Sequence, residues 1–170
     1  MTPDRIKIIF IAGSARSGST LLGSIISQRD GYFHVGELSS LWGRGLLRGR
    51  SCACGKPIAE CEFWSEVLRR AFGDLGPEQI GKMKKTLGKL RGRHVLMLLL
   101  PNGKERLAAR WGAALDQQGR LYAAIQEVSG CRVIVDSSKS PLYATLLALM
   151  PSMTLSVAQT VRDPRAVAYS

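Results

Sequence analysis

Acidic residues are scarce in this chain, and long apolar runs are missing from it. Thirteen Asp and Glu stand against 24 Lys and Arg, a formal net charge of +11 over 170 residues. Such a balance suits an anionic nucleotide, a sulfated or phosphorylated substrate, nucleic acid or an acidic membrane surface, unless it serves solubility alone. The longest late apolar run, residues 95–100, is far too short to cross a bilayer. The first, 8–12, leads straight into a glycine and does not resemble a secretion signal. The expectation is a cytoplasmic protein with no transmembrane segment. Neither internal repeats nor a low-complexity linker divides the chain, and 45% hydrophobic residues are enough for one domain with a real core.

Cysteine is sparse, with four residues, but three of them are close together. Cys52, Cys54 and Cys61 form C-x-C-x6-C in a glycine-rich segment. Structural zinc usually takes four ligands, often from paired C-x2-C units, so these three fall short of that template unless Cys131 or His34 completes a site through the fold. Free structural thiols and a disulfide from Cys61 to Cys52 or Cys54 are the other readings, the second disfavoured in a reducing compartment.

A lysine is missing where one would be expected. The apolar run 8–12 stops at Gly13, a loop rich in small and hydroxyl residues follows, and apolar positions resume at Leu21, Leu22, Ile25 and Ile26 with helical spacing. Strand, tight loop and helix in that order form a phosphate cradle, because loop N–H groups and the helix dipole converge on one anion. The loop reads Gly13-x4-Gly18-Ser19-Thr20, the ATP-binding P-loop pattern with Ser19 in the lysine's place and a cation earlier, at Arg16. That arrangement suits a shorter phosphate better than a triphosphate.

The rest of the chain alternates helices and strands. A first helix is expected from 17 or 18 to about 28, a strand over 32–35, and helix over 38–47, overlapping a glycine-, arginine- and cysteine-rich surface loop at 43–56. Helical stripes are expected over 63–72, from Pro77 onward, and over 105–128, where Gly119 is a potential interruption. Lys82, Lys84, Lys85, Lys89, Arg91 and Arg93 form a basic face, read as either a solvated helix side or a patch for an acidic partner. Strands are expected over 131–135 and 154–161, with a proline-opened helix at 141–150 between them. This order predicts an α/β fold, a P-loop-type parallel sheet flanked by helices in a three-layer sandwich. Ligands gather at the carboxyl ends of such strands, and the polar segments 13–20, Glu37, 136–139 and 162–165 all fall there.

Taken together, these strand ends resemble the sulfotransferases that use 3′-phosphoadenosine 5′-phosphosulfate (PAPS). GSARSGSTLL resembles the 5′-phosphosulfate loop, and VRDPRAVAYS the 3′-phosphate motif, with Arg162 and, eight positions on, Ser170. HVGE resembles the segment carrying the catalytic base in tyrosylprotein-type and many bacterial members, and DSSKSP the segment whose lysine lies near the transferring sulfate. The resemblance implies sulfuryl transfer from PAPS to an acceptor hydroxyl on a small molecule, carbohydrate, lipid or peptide, without metal and without specific nucleic-acid binding. It assigns the donor's grip to Arg16, Ser17, Gly18, Ser19, Thr20, Leu21, Arg162 and Ser170. It assigns the chemistry to Glu37 as general base with Arg16 and Lys139 as cations. It also implies that residues 1–170 form the N-terminal portion of a longer fold, incomplete at the C-terminus, with apolar surface that invites self-association.

Plainer roles compete for the same residues. His34 is a rival base, Glu37 a helix-capping acid, Lys139 a solvent-facing lysine, residues 136–138 a cap for the next helix, and residues 162–165 a structural turn with an ion pair. A P-loop nucleotide kinase and an inactive nucleotide- or polyanion-binding fragment are the alternative functions.

Overall fold

The computed structural model describes residues 5–169. Four strands, β1 (Ile6–Gly13), β2 (Tyr32–Gly36), β3 (Val133–Lys139) and β4 (Met153–Thr160), pair in the order β2-β3-β1-β4, all in parallel. Parallel neighbours need crossovers, and helices provide them. α1 (Ser19–Ile26) joins β1 to β2. Between β2 and β3 run α2 (Glu62–Phe72), α3 (Pro77–Leu87), α4 (Gly92–Val95), α5 (Gly103–Arg110) and α6 (Gly112–Ser129); α7 (Pro141–Ala148) joins β3 to β4, and α8 (Pro164–Ala168) follows β4. The chain is therefore α/β, a parallel sheet flanked by helices, and none of the described helices is long and apolar enough to cross a membrane.

Strand alternation sorts the helices onto two faces. Ile8, Phe10, Ile134 and Asp136 share one face by register, and α6 and α7 cover it. Tyr143 of α7 packs against Phe10 with ring centroids 6.3 Å apart, and Tyr122 of α6 donates its hydroxyl to Asp136. This is the thick side of the core, with Leu107, Trp111, Ala114, Leu121 and Ile125 buried beside Trp64, Val67 and Leu68. Ile9, Val135 and His34 share the opposite face, where α1 lies.

α1 does not bury the stripe its apolar residues predict. Leu21 and Ile25 are 67% and 54% exposed, while Ser19 and Gly23 face inward. The reason is close approach: a Cβ at Gly23 would lie 2.4 Å from Nε2 of His34. Only a small residue lets the helix sit that near the strand below it.

Other boundaries shift for identifiable reasons. The helix expected over 105–128 is two helices, broken at Trp111, while Gly119 stays inside α6. Residues 38–47 are helical but irregular, a 3₁₀ turn (Leu38–Ser40) running into a π-helix (Leu41–Leu47), so the segment expected as loop from 43 becomes irregular only after it. β3 continues past its apolar run through Asp136, Ser137 and Ser138, all three buried. Their polar groups find partners inside the fold, which removes the cost that would otherwise end the strand.

Candidate functional site

The carboxyl ends of β1 and β4 meet at one corner. Gly13 has φ +150°, and a Cβ there would fall 2.3 Å from Oγ1 of Thr160 and 2.7 Å from its carbonyl oxygen. The missing side chain lets the two strand ends touch. Thr160 donates to the Ala12 carbonyl at 3.1 Å and shares a 2.7 Å hydrogen bond with Ser17. Arg16 and Gly18 both adopt the left-handed region, at φ 61° and 85°, which coils the loop tightly ahead of α1. The amides that open α1 then have no acceptor within the helix, so they are disposed toward an anion. Ser19 is buried under the helix and Thr20 is exposed. Arg162 closes the corner by donating from Nη1 to the Arg16 carbonyl at 2.9 Å. The structure thus brings Arg16, Ser17, Gly18, Thr20 and Arg162 to one place; Ser170 lies outside the described residues.

Glu37 and Lys139 meet at the ends of β2 and β3. Their side chains form an ion pair, each 18% exposed. Lys139 reaches it from a left-handed backbone, φ 65°. Arg44 donates to the other carboxylate oxygen at 2.6 Å, and Arg50 stands 3.8 Å away. Burial pushes the Glu37 carboxyl upward, but the hydrogen bond from Lys139 and the charges of Lys139, Arg44 and Arg50 outweigh it and hold the group below its ordinary value. The Glu37 side chain does not cap the 3₁₀ turn that follows it, and Lys139 is not solvent-facing. His34 occupies the face opposite Phe33 and shares a 3.0 Å hydrogen bond between Nε2 and the Ser137 hydroxyl. Burial, and then the charge of Lys139, lower its pKa, so it is a neutral ring at pH 7.

Asp136 does a task its sequence context did not announce. It is fully buried and accepts from the Tyr122 hydroxyl and from the Ser138 amide, the latter at 2.8 Å. Ser138 in turn accepts from the Ser39 amide at 2.9 Å. A chain of hydrogen bonds therefore runs from α6 through β3 to the turn just after Glu37, fixing where that carboxylate stands. The next helix is capped by Ser140 instead, while Asp163 caps α8 and pairs with Arg165 at 3.4 Å. Tyr122 was legible in sequence only as one more residue of an amphipathic helix.

A cavity of ≈ 650 Å³ lies against these groups. Its walls include Thr20, His34, Glu37, Arg50, Trp64 and Ser137, together with Cys52, Cys54 and Cys61. That volume is ordinary for a small-molecule site. The six basic residues of the 82–93 stretch are exposed and line no part of that cavity, but they do not share one helix face: Lys82, Lys84 and Lys85 lie on α3, Lys89 and Arg91 follow its end, and Arg93 is in α4. Lys82 pairs with Glu78 at 2.8 Å. Compared with known protein families, curated proteins and solved structures, the chain matches none.

Proposed function

We propose that this chain binds PAPS and transfers its sulfuryl group to an acceptor hydroxyl, Glu37 serving as general base. The observation that carries the reading is the Arg162–Arg16 hydrogen bond, which ties the 162–165 corner to the loop before α1. One nucleotide phosphorylated at both ends needs two anion sites within its own length, and here two basic segments touch. The residues suit such a donor: open amides at the start of α1, the Thr20 hydroxyl, and guanidiniums at 16 and 162 in place of a P-loop lysine.

The bound donor supplies an activated sulfuryl group on a phosphate leaving group. In this reading Ser17 to Leu21 hold that end through their amides, Arg16 balances charge developing on the leaving oxygen, and Arg162 with Ser170 holds the 3′-phosphate. Lys139 faces the sulfuryl oxygens and Glu37 takes the proton of the attacking hydroxyl. The two form a pair in the absence of ligand, so Lys139 must turn from the carboxylate to an incoming anion, which raises the basicity of Glu37 when it is needed. The acceptor, a hydroxyl-bearing small molecule, carbohydrate, lipid or peptide, would occupy the cavity beside Glu37.

Calorimetry with adenosine 3′,5′-bisphosphate against magnesium-ATP tests the donor site. Metal-independent binding of the bisphosphate is expected; a preference for magnesium-ATP would favour a nucleotide kinase. Bisphosphate binding without sulfuryl transfer to any acceptor would leave a nucleotide-binding module.

A further inference from the structure

The structure assigns Cys52, Cys54 and Cys61 to a thiolate site for a soft divalent metal ion, zinc by preference, on the wall of the cavity that holds Glu37. The three sulfurs lie within 4.8 Å of one another, and those of Cys52 and Cys61 are 3.5 Å apart. Tetrahedral zinc with bonds of about 2.3 Å sets its sulfurs about 3.8 Å apart, so small side-chain shifts close the site.

The backbone is shaped for this. Residues 51–57 double back on themselves: Ser51 bridges to Pro57, the Cys52 amide donates to the Lys56 carbonyl at 2.8 Å, and the Gly55 amide to the Cys52 carbonyl at 3.0 Å. Gly55 takes the left-handed turn, φ 87°. Cys61, the third sulfur, is the N-cap of α2. Three thiolates on a divalent ion leave one net negative charge; the nearby cations along the chain are Lys56, which pairs with Glu62 at 3.0 Å, and Arg50, which lines the same cavity.

Cys131 is not among these sulfurs, and His34 is turned to Ser137, so neither completes the site. Cys54 is exposed, which leaves a fourth position for solvent or an added ligand. A disulfide between Cys52 and Cys61 accounts for the geometry less well. It would leave the Cys54 thiol beside a bond it can attack by exchange. A metal uses all three sulfurs at once. Its role is structural: it pins the loop that carries Arg50, and through Arg50 the surroundings of Glu37.

The test uses the full chain, purified reduced and dialysed against zinc. About one equivalent of zinc per chain is expected. Zinc should protect the three thiols from alkylation, chelation should expose them, and the unfolding midpoint should rise with zinc. Cobalt in place of zinc should give sulfur-to-metal charge-transfer bands. Cys54→Ser and Cys61→Ser should each weaken binding about tenfold or more, and Cys131→Ser should leave it unchanged. Should a serine variant not fold, the alkylation result on the unaltered chain still decides. The assignment is overturned if the unaltered chain takes up no zinc, if Cys52 and Cys61 are recovered as a bridged peptide lacking two hydrogens, or if zinc persists in Cys54→Ser. None of these outcomes bears on bisphosphate binding.

Discussion

Three cations surround the Glu37 carboxylate, and their balance decides what it can do as a base. Since Lys139, Arg44 and Arg50 together more than offset the effect of burial, the group is ionised throughout the neutral range. Glu37→Gln should therefore cut sulfuryl transfer at least about 100-fold while leaving bisphosphate affinity within about twofold, read by a transfer assay and calorimetry side by side. A lowered folded-state pKa also means that the carboxylate stabilises the fold above its unfolded value and loses that contribution as pH falls through the folded one. Asp136 has the opposite sign. Burial raises its pKa to about 6, against the hydrogen bonds from Ser138 and Tyr122. The folded state then holds a proton that the unfolded chain has released, so stability falls as pH rises. The loss should amount to about 3 kcal/mol between about pH 4 and about pH 6, and urea denaturation of Asp136→Asn across that window should lack the slope.

At the scale of elements, the position of α1 depends on small residues. Gly23→Ala would drive a methyl group into the His34 ring, and the helix must lift for the two to coexist. A cost of about 1–3 kcal/mol is expected, with a matching loss of bisphosphate affinity, because the amides of the first turn move with the helix. Unchanged affinity in a destabilised Gly23→Ala would mean that α1 does not bear the ligand. This contact also marks where the sequence could be read and where it could not. Alternating apolar runs and turn residues announce the parallel α/β order, because burial on both faces demands such runs at β1 and β3. The tight loop between β1 and α1 was legible because glycine at 13 and 18 has a specific conformational use. The inward side of α1 was not, because apolarity points to Leu21 and Ile25, whereas close approach selects Ser19 and Gly23. Likewise the Tyr122–Asp136–Ser138–Ser39 chain joins residues far apart in sequence, and local pattern has no means of pairing them. The ion pair of Lys139 with Glu37 was hidden for the same reason: the resemblance assigned them to one site as cation and base, but their direct contact depends on β2 and β3 lying side by side.

For the whole molecule, the charge excess and the exposed apolar surface act in opposite directions. A net charge of +11 keeps copies apart at low salt. Against it stand Leu96, Leu98, Leu99 and Leu100, exposed at 64%, 38%, 81% and 53% in one short stretch after α4, with Leu21 and Ile25 forming a second apolar strip one helical turn apart on α1. Contiguous apolar surface of this kind is uncommon on monomers and favours association. Salt screens the repulsion without weakening the apolar attraction, so association should strengthen as ionic strength rises, the reverse of what contacts between charged groups would give. Sedimentation velocity at several protein concentrations, in low and high salt, reads this directly: the weight-average mass should climb with both. Replacing Leu96, Leu99 and Leu100 together by Gln should return the chain to monomer at every salt concentration while leaving bisphosphate binding intact. If that variant sediments as the unaltered chain does, the 96–100 stretch is not the contact, and Leu21 with Ile25 becomes the surface to alter next.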